Sequence, residues 1–144
     1  MRRMVVSGTT LAAAAAATFL VAAPAAAGEA VHIEAATTIA DPAAGFTSTI
    51  EGCESGTVEN GRFSLAFTPR FGVFNGFKVF SCGDTDGGFV VRLQAKFGEA
   101  GSTGTWAITR SWGSQAGLHG AGTLVGEPLP PDGILDIYDG TLRP

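Results

Sequence analysis

The sequence has few charged residues and no run of charges of one sign. Only 15% of its 144 residues are Asp, Glu, Lys or Arg, and the formal net charge is -4 at pH 7. Proteins that bind nucleic acid need clustered Lys and Arg side chains to neutralise phosphates. The sequence offers no such cluster, so we expect no nucleic-acid partner.

Apolar runs long enough to cross a membrane are also absent. The longest, Leu11 to Ala23, has about 13 residues, whereas a spanning helix needs roughly 20. This run follows Arg2-Arg3 and ends near Ala25-Ala26-Ala27, which is the pattern of a signal peptide with its small-residue cleavage site. We therefore predict a signal peptide over residues 1–27, cleavage after Ala27 and secretion by the general or the twin-arginine route.

The remaining residues, 28–144, are too few for two domains of ordinary size and predict a single domain. Loss of the two N-terminal arginines makes its formal charge -6 instead of -4. Glycine is abundant, with 21 residues, which favours turns over helices. We expect no membrane span in this mature part.

The sequence has only two cysteines, Cys53 and Cys82. Neither belongs to a CxxC pair or lies near a histidine, so a metal site or a reactive thiol pair is disfavoured. In an oxidising extracellular environment two cysteines without a third competitor predict one disulfide.

Short strands dominate the predicted secondary structure. From Phe89 to Phe97 every second residue is apolar and the other face carries the charges, the period of a strand that packs one face on a core. Asn75-Gly76, between apolar residues 73–74 and 77, predicts a tight hairpin turn. The other predicted strands are Val31 to Ile39, Phe46 to Ile50, Arg62 to Phe67, Gly104 to Trp112, Leu118 to Val125 and Ile134 to Leu142.

About eight short strands without covering helices must hide the edges of their sheet. A closed barrel and a sandwich both achieve this. The sequence therefore predicts an all-β domain, an antiparallel eight-stranded closed barrel, with a β-sandwich as the alternative.

Six phenylalanines lie between Phe63 and Phe80 at a spacing that would also suit a helix. Pro69, Gly72 and the Asn75-Gly76 pair interrupt that helix and favour strands. Six aromatic rings exceed the need of one short hairpin, so they form either plain core or the lining of a cavity or contact surface.

Four segments carry a family resemblance: Cys82 to Phe89, Gly104 to Ile108, Gly113 to Leu124 and Ile134 to Leu142. Together they resemble secreted bacterial proteins related to the allene oxide cyclase and dirigent-like barrels. The resemblance implies an eight-stranded antiparallel barrel whose central cavity takes hydrophobic fatty-acid-derived or phenolic molecules. No position matches the functional residues of the plant cyclases, so it implies no catalytic residue.

Charged and aromatic residues that could face the interior are the candidates for ligand binding. Asp136 and Tyr138 share one strand face, and burial of that face would give a carboxylate with a raised pKa beside the only tyrosine. Arg110 shares a face with two tryptophans unless a bulge near Gly113 turns it to solvent. The candidate set is Phe74, Phe77, Trp106, Arg110, Trp112, Asp136 and Tyr138.

Catalytic and metal-binding motifs are absent from the sequence. No G-x-S-x-G element accompanies the histidines His32 and His119, and the Asp84-to-Gly87 segment lacks the glutamate of a calcium loop. We predict no catalytic residue, metal or cofactor.

The expected function is a secreted non-catalytic barrel that binds a small apolar molecule or acts as an extracellular structural or interaction domain. The alternative is a cyclase or isomerase of the allene oxide cyclase type that acts on a hydrophobic substrate.

Overall fold

The structure is a computed structural model that describes residues 28–38 and 43–143. The predicted signal peptide, residues 1–27 with cleavage after Ala27, lies outside the described residues. Within the described ranges no helix is long and apolar enough to cross a membrane.

Eight antiparallel strands form a closed barrel in which each strand pairs with the next and the last pairs with the first. This confirms the barrel and excludes the sandwich. The described residues contain one helical element, a 3-10 turn at Gly113–Gln115. The strands are β1 (Glu29–Thr38), β2 (Ala43–Ser48), β3 (Ser55–Phe67), β4 (Gly72–Cys82), β5 (Gly88–Gly98), β6 (Gly101–Trp112), β7 (His119–Leu129) and β8 (Gly133–Arg143).

The hairpin predicted at Asn75-Gly76 is wrong, because both residues lie inside the continuous strand β4. Gly76 pairs with Phe63 of β3, directly after an irregularity in the β3 register. A Cβ atom at Gly76 would collide with the Cβ of Phe63, so glycine here allows two backbones to approach closely. The chain turns instead between β3 and β4, where the Thr68 N–H donates to the Phe71 carbonyl at 2.9 Å.

The two ends of the barrel differ in how they are filled. The closed end carries the connections at residues 49–54, 83–87 and 113–118. The predicted disulfide between Cys53 and Cys82 is present there, with Cα atoms 4.9 Å apart. Phe80 and Phe89 stack beneath it with ring centroids 4.9 Å apart, and Phe46 meets Phe80 edge-on at 5.1 Å. This packing fills the closed end with apolar side chains.

The open end carries the turns at residues 68–71, 99–100 and 130–132. Strands β3, β5 and β7 run towards it, and β4, β6 and β8 start from it. Side chains from seven of the eight strands face the interior near this end. The interior here is a cavity.

Candidate functional site

A cavity of about 480 Å³ occupies the open half of the barrel. Small-molecule sites in proteins have volumes of roughly 300–1,000 Å³, so this one can hold a ligand of moderate size. Its lining residues come from every strand except β2.

Aromatic and aliphatic side chains form most of the cavity wall. The rings of Phe63 and Phe74 stack with centroids 5.3 Å apart, and Phe67 meets Phe97 edge-on at 5.9 Å. Further apolar lining residues are Leu65, Val58, Leu93, Ala95, Leu124 and Ile134.

The cavity opens sideways because β2 is short. Only residues 55–59 of β3 pair with β2, so residues 60–67 pair with β4 alone among the described residues. Side chains that line the cavity from β3 are consequently left accessible, with exposed fractions of 46% for Phe63, 47% for Leu65 and 73% for Phe67. Thr37 of β1 and Asn60 of β3 both line the cavity, so its wall reaches the two strands that flank β2.

A buried ion pair lies in this largely apolar cavity. Lys78 Nζ is 3.6 Å from Asp136 Oδ2, and the two side chains are only 10% and 9% exposed. Burial raises the pKa of Asp136, and the positive charge and hydrogen bond of Lys78 partly offset that rise. The Lys78 ammonium also lies 5.9 Å from the centroid of the Phe74 ring. The pair gives the cavity one positive and one negative group at adjacent positions.

Gly126 leaves room for the Ser102 hydroxyl near this carboxylate. It pairs with Ser102 on one side and with Asp136 on the other. A Cβ at this position would collide with the Ser102 hydroxyl and lie 3.0 Å from Asp136 Oδ1. The Ser102 side chain lines the cavity next to the ion pair.

Tyr138 lies deeper in the barrel than the ion pair and does not line the cavity. Its ring meets Phe80 edge-on at 5.6 Å and Trp106 at 6.1 Å. Its hydroxyl is buried without a hydrogen-bond partner among the described residues. Burial, and secondarily the charge of Asp136, raises the pKa of Tyr138 well above its ordinary value.

Of the seven residues proposed from the sequence as ligand contacts, Phe74 and Asp136 line the cavity. Tyr138 is fully buried in the core, and so is Trp106, whose indole N–H donates to the Thr123 carbonyl at 3.0 Å. The face expected to be shared by Asp136 and Tyr138 does point inward.

The other three candidates lie away from the cavity. Arg110 is exposed, because the register between β5 and β6 shifts around Thr109. A bulge that turns Arg110 outward was expected near Gly113, and it occurs four residues earlier. Phe77 is half-buried at an outward position of β4, and Trp112 is half-buried near the closed end.

Lys78 was not identified from the sequence. The expected turn at Asn75-Gly76 separated it from Phe74, which lies before that turn. With one continuous β4, alternation places Phe74, Lys78 and Phe80 on the same inward face. That alternation was the available signal.

The histidines lie outside the cavity. His119 is exposed. On the outer face of β1 and β8, His32 Nδ1 is 2.6 Å from Asp139 Oδ1, and its Nε2 is 3.1 Å from Glu34 Oε1. These two hydrogen bonds, that to Asp139 first, raise the pKa of His32. Over residues 28–38 and 43–143 no group of three or more His, Cys, Asp or Glu side chains is arranged to hold a metal ion.

Comparison with known proteins gives no family. No protein-family model matches the chain, and no curated protein sequence matches it. The cavity is therefore the feature of the molecule that bears on function.

Proposed function

We propose that this protein is a secreted, non-catalytic barrel that binds a small apolar molecule in the cavity of its open half. One observation carries the proposal: inward-facing apolar side chains line an accessible cavity in place of filling it. Each apolar Å² that a ligand covers contributes about 25 cal/mol. The closed eight-stranded barrel supports the same proposal, because it is the fold that the resemblance to allene oxide cyclase and dirigent-like barrels implies.

Secretion is part of this proposal. A disulfide between Cys53 and Cys82 is typical of oxidising compartments. The basic start, the apolar run and the Ala-x-Ala site within residues 1–27 supply the export signal. The intact mass of the exported protein tests this directly, since cleavage after Ala27 and loss of two thiol hydrogens both change it.

Two phenylalanines of β4 provide a matched test of the cavity. Phe74 lines it, whereas Phe77 is equally half-buried but lies on the outer face. We expect the neutral dye Nile red to bind the wild-type protein saturably, with a rise in fluorescence. Phe74→Ala should weaken this binding about tenfold, the equivalent of roughly 1.4 kcal/mol of lost apolar contact, and Phe77→Ala should leave it unchanged.

Urea unfolding midpoints of both variants control for loss of structure. Absence of saturable dye binding to the folded wild-type protein would refute the proposal. Equal weakening in both variants would refute the assignment of the site to the cavity.

The buried ion pair favours a second candidate, an isomerase or cyclase that holds a hydrophobic chain in a bent conformation. Lys78 and Asp136 are the charged groups that could stabilise a polar intermediate inside the apolar cavity. Arg110, a charged ligand-binding candidate from the sequence, does not line the cavity. If the protein consumes an apolar epoxide, Asp136→Asn should reduce the rate at least tenfold. An unchanged rate would exclude Asp136 from the reaction.

A further inference from the structure

We propose that the cavity selects apolar molecules that end in an uncharged hydrogen-bonding group, an alcohol or a ketone, and that it binds this group at the Lys78–Asp136 pair. The inference rests on the proposed function and adds the chemical class of the ligand.

The pair retains hydrogen-bonding capacity towards the cavity. An ammonium group has three donors and a carboxylate has about four acceptor positions. The single contact between Lys78 Nζ and Asp136 Oδ2, at 3.6 Å, is longer than an ideal charge-assisted hydrogen bond. Both side chains line the cavity. A ligand hydroxyl can donate to Asp136 and accept from Lys78, and a ketone oxygen can accept from Lys78.

The sum of the charges disfavours an anionic head group. Lys78 and Asp136 together carry no net charge, and Glu59, which is exposed and also lines the cavity, adds a negative one. A carboxylate head would meet two like charges and leave a charge without a counter-charge in a buried site, which is costly. An ammonium head at the pair would lie beside the like charge of Lys78, which already pairs with Asp136. A neutral head adds no charge and keeps its hydrogen bonds.

The neighbouring hydroxyl supports a neutral head as well. Ser102 is buried and lines the cavity beside the ion pair, and its neutral hydroxyl can either donate or accept a hydrogen bond. Gly126 adds no side chain between Ser102 and Asp136. The polar part of the wall formed by Lys78, Asp136 and Ser102 is therefore small, and the largely apolar remainder of the cavity is suited to the apolar part of a ligand.

The test is a competition between two ligands that share one alkyl chain. Decanol and decanoate displace Nile red from the wild-type protein at about pH 8, where the carboxylate is ionised. We expect decanol to bind at least tenfold more tightly than decanoate. Asp136→Asn preserves the shape of the side chain but leaves Lys78 as an uncompensated cation. The ratio of decanol affinity to decanoate affinity should therefore fall by at least tenfold in this variant.

Asp139→Asn is the matched control, because Asp139 lies on the same strand with its side chain exposed on the outer face. It should not change the ratio. If Asp136→Asn does not fold, Lys78→Met provides the opposite test: it leaves Asp136 alone and should weaken decanoate binding further relative to decanol.

Three results would overturn the inference: equal binding of both ligands, preference for decanoate, or an unchanged ratio in Asp136→Asn that still binds Nile red. In each of these the dye still binds, so cavity binding stands and only the head-group assignment fails. Failure of the folded wild-type protein to bind Nile red would instead remove the proposed function itself.

Discussion

The Lys78–Asp136 pair predicts a specific pattern of stability changes. At 3.6 Å and an effective dielectric constant of about 20, two unit charges attract each other by roughly 5 kcal/mol. Lys78→Met or Asp136→Leu alone removes this attraction and leaves one buried charge unpaired. Each should lower the free energy of unfolding by about 3 to 5 kcal/mol. The double variant leaves no uncompensated charge and should recover most of that loss.

Urea unfolding followed by tryptophan fluorescence measures all four proteins, and the double-mutant cycle isolates the coupling between the two residues. Lys96→Met is the matched control. Lys96 is exposed, with its ammonium 5.1 Å from the Phe71 ring centroid, so its removal should cost no more than about 1 kcal/mol. Single-variant losses below about 1 kcal/mol that add without coupling would show that the two charges are not paired inside the barrel.

Three further predictions concern the rest of the barrel. Replacing both Cys53 and Cys82 by alanine removes a disulfide between residues 29 positions apart. This should lower the free energy of unfolding, measured with urea, by about 3 to 4 kcal/mol, and a loss below about 1 kcal/mol would contradict that value. His32 has a raised pKa through Asp139, so its stabilisation is complete below its unfolded pKa of about 6.5 and declines as pH rises through the higher folded value. The stability advantage of wild type over His32→Gln should therefore be larger at about pH 5 than at about pH 9, and the reverse order would refute this sign. Gly76→Ala should destabilise the protein by about 1 to 3 kcal/mol, because its methyl group would collide with β3, whereas a neutral effect would argue against the close approach.

The fold could be predicted where local patterns and packing agree. Every second residue from Phe89 to Phe97 is apolar, and β5 (Gly88–Gly98) matches this segment within one residue at each end. The number of strands and the lack of covering helices narrowed the fold to a closed barrel or a sandwich. The pairing of Cys53 with Cys82 followed because the sequence has no other cysteine.

The hairpin prediction at Asn75-Gly76 failed because this dipeptide is compatible with two structures, a tight turn and a strand that lies close to its neighbour. Asn-Gly favours turns through its tolerance of positive φ, but glycine also permits close backbone approach. The second structure depends on Phe63, which lies 13 positions earlier in the chain, and on a register shift in β3. Neither appears in the local sequence.

The candidate site was only partly predictable, since a cavity depends on how strands of unequal length pair. Asp136 was identified because it lies on an alternating strand face, and Phe74 because its segment holds more aromatic rings than one short hairpin needs. Lys78 was missed. The sideways opening of the cavity was missed as well, because that opening results from the short β2. Arg110 illustrates the same limit: its exposure is set by a register shift near Thr109.

The most direct test of the central claim is a native mass spectrum of the exported, oxidised protein after exposure to an apolar extract of the culture that produced it. We predict a non-covalent adduct that disappears on denaturation, whose mass belongs to an apolar molecule with an uncharged polar end. Phe74→Ala should carry less of this adduct than Phe77→Ala. A bare mass for folded wild-type protein before and after exposure would contradict the proposal that the cavity is a binding site.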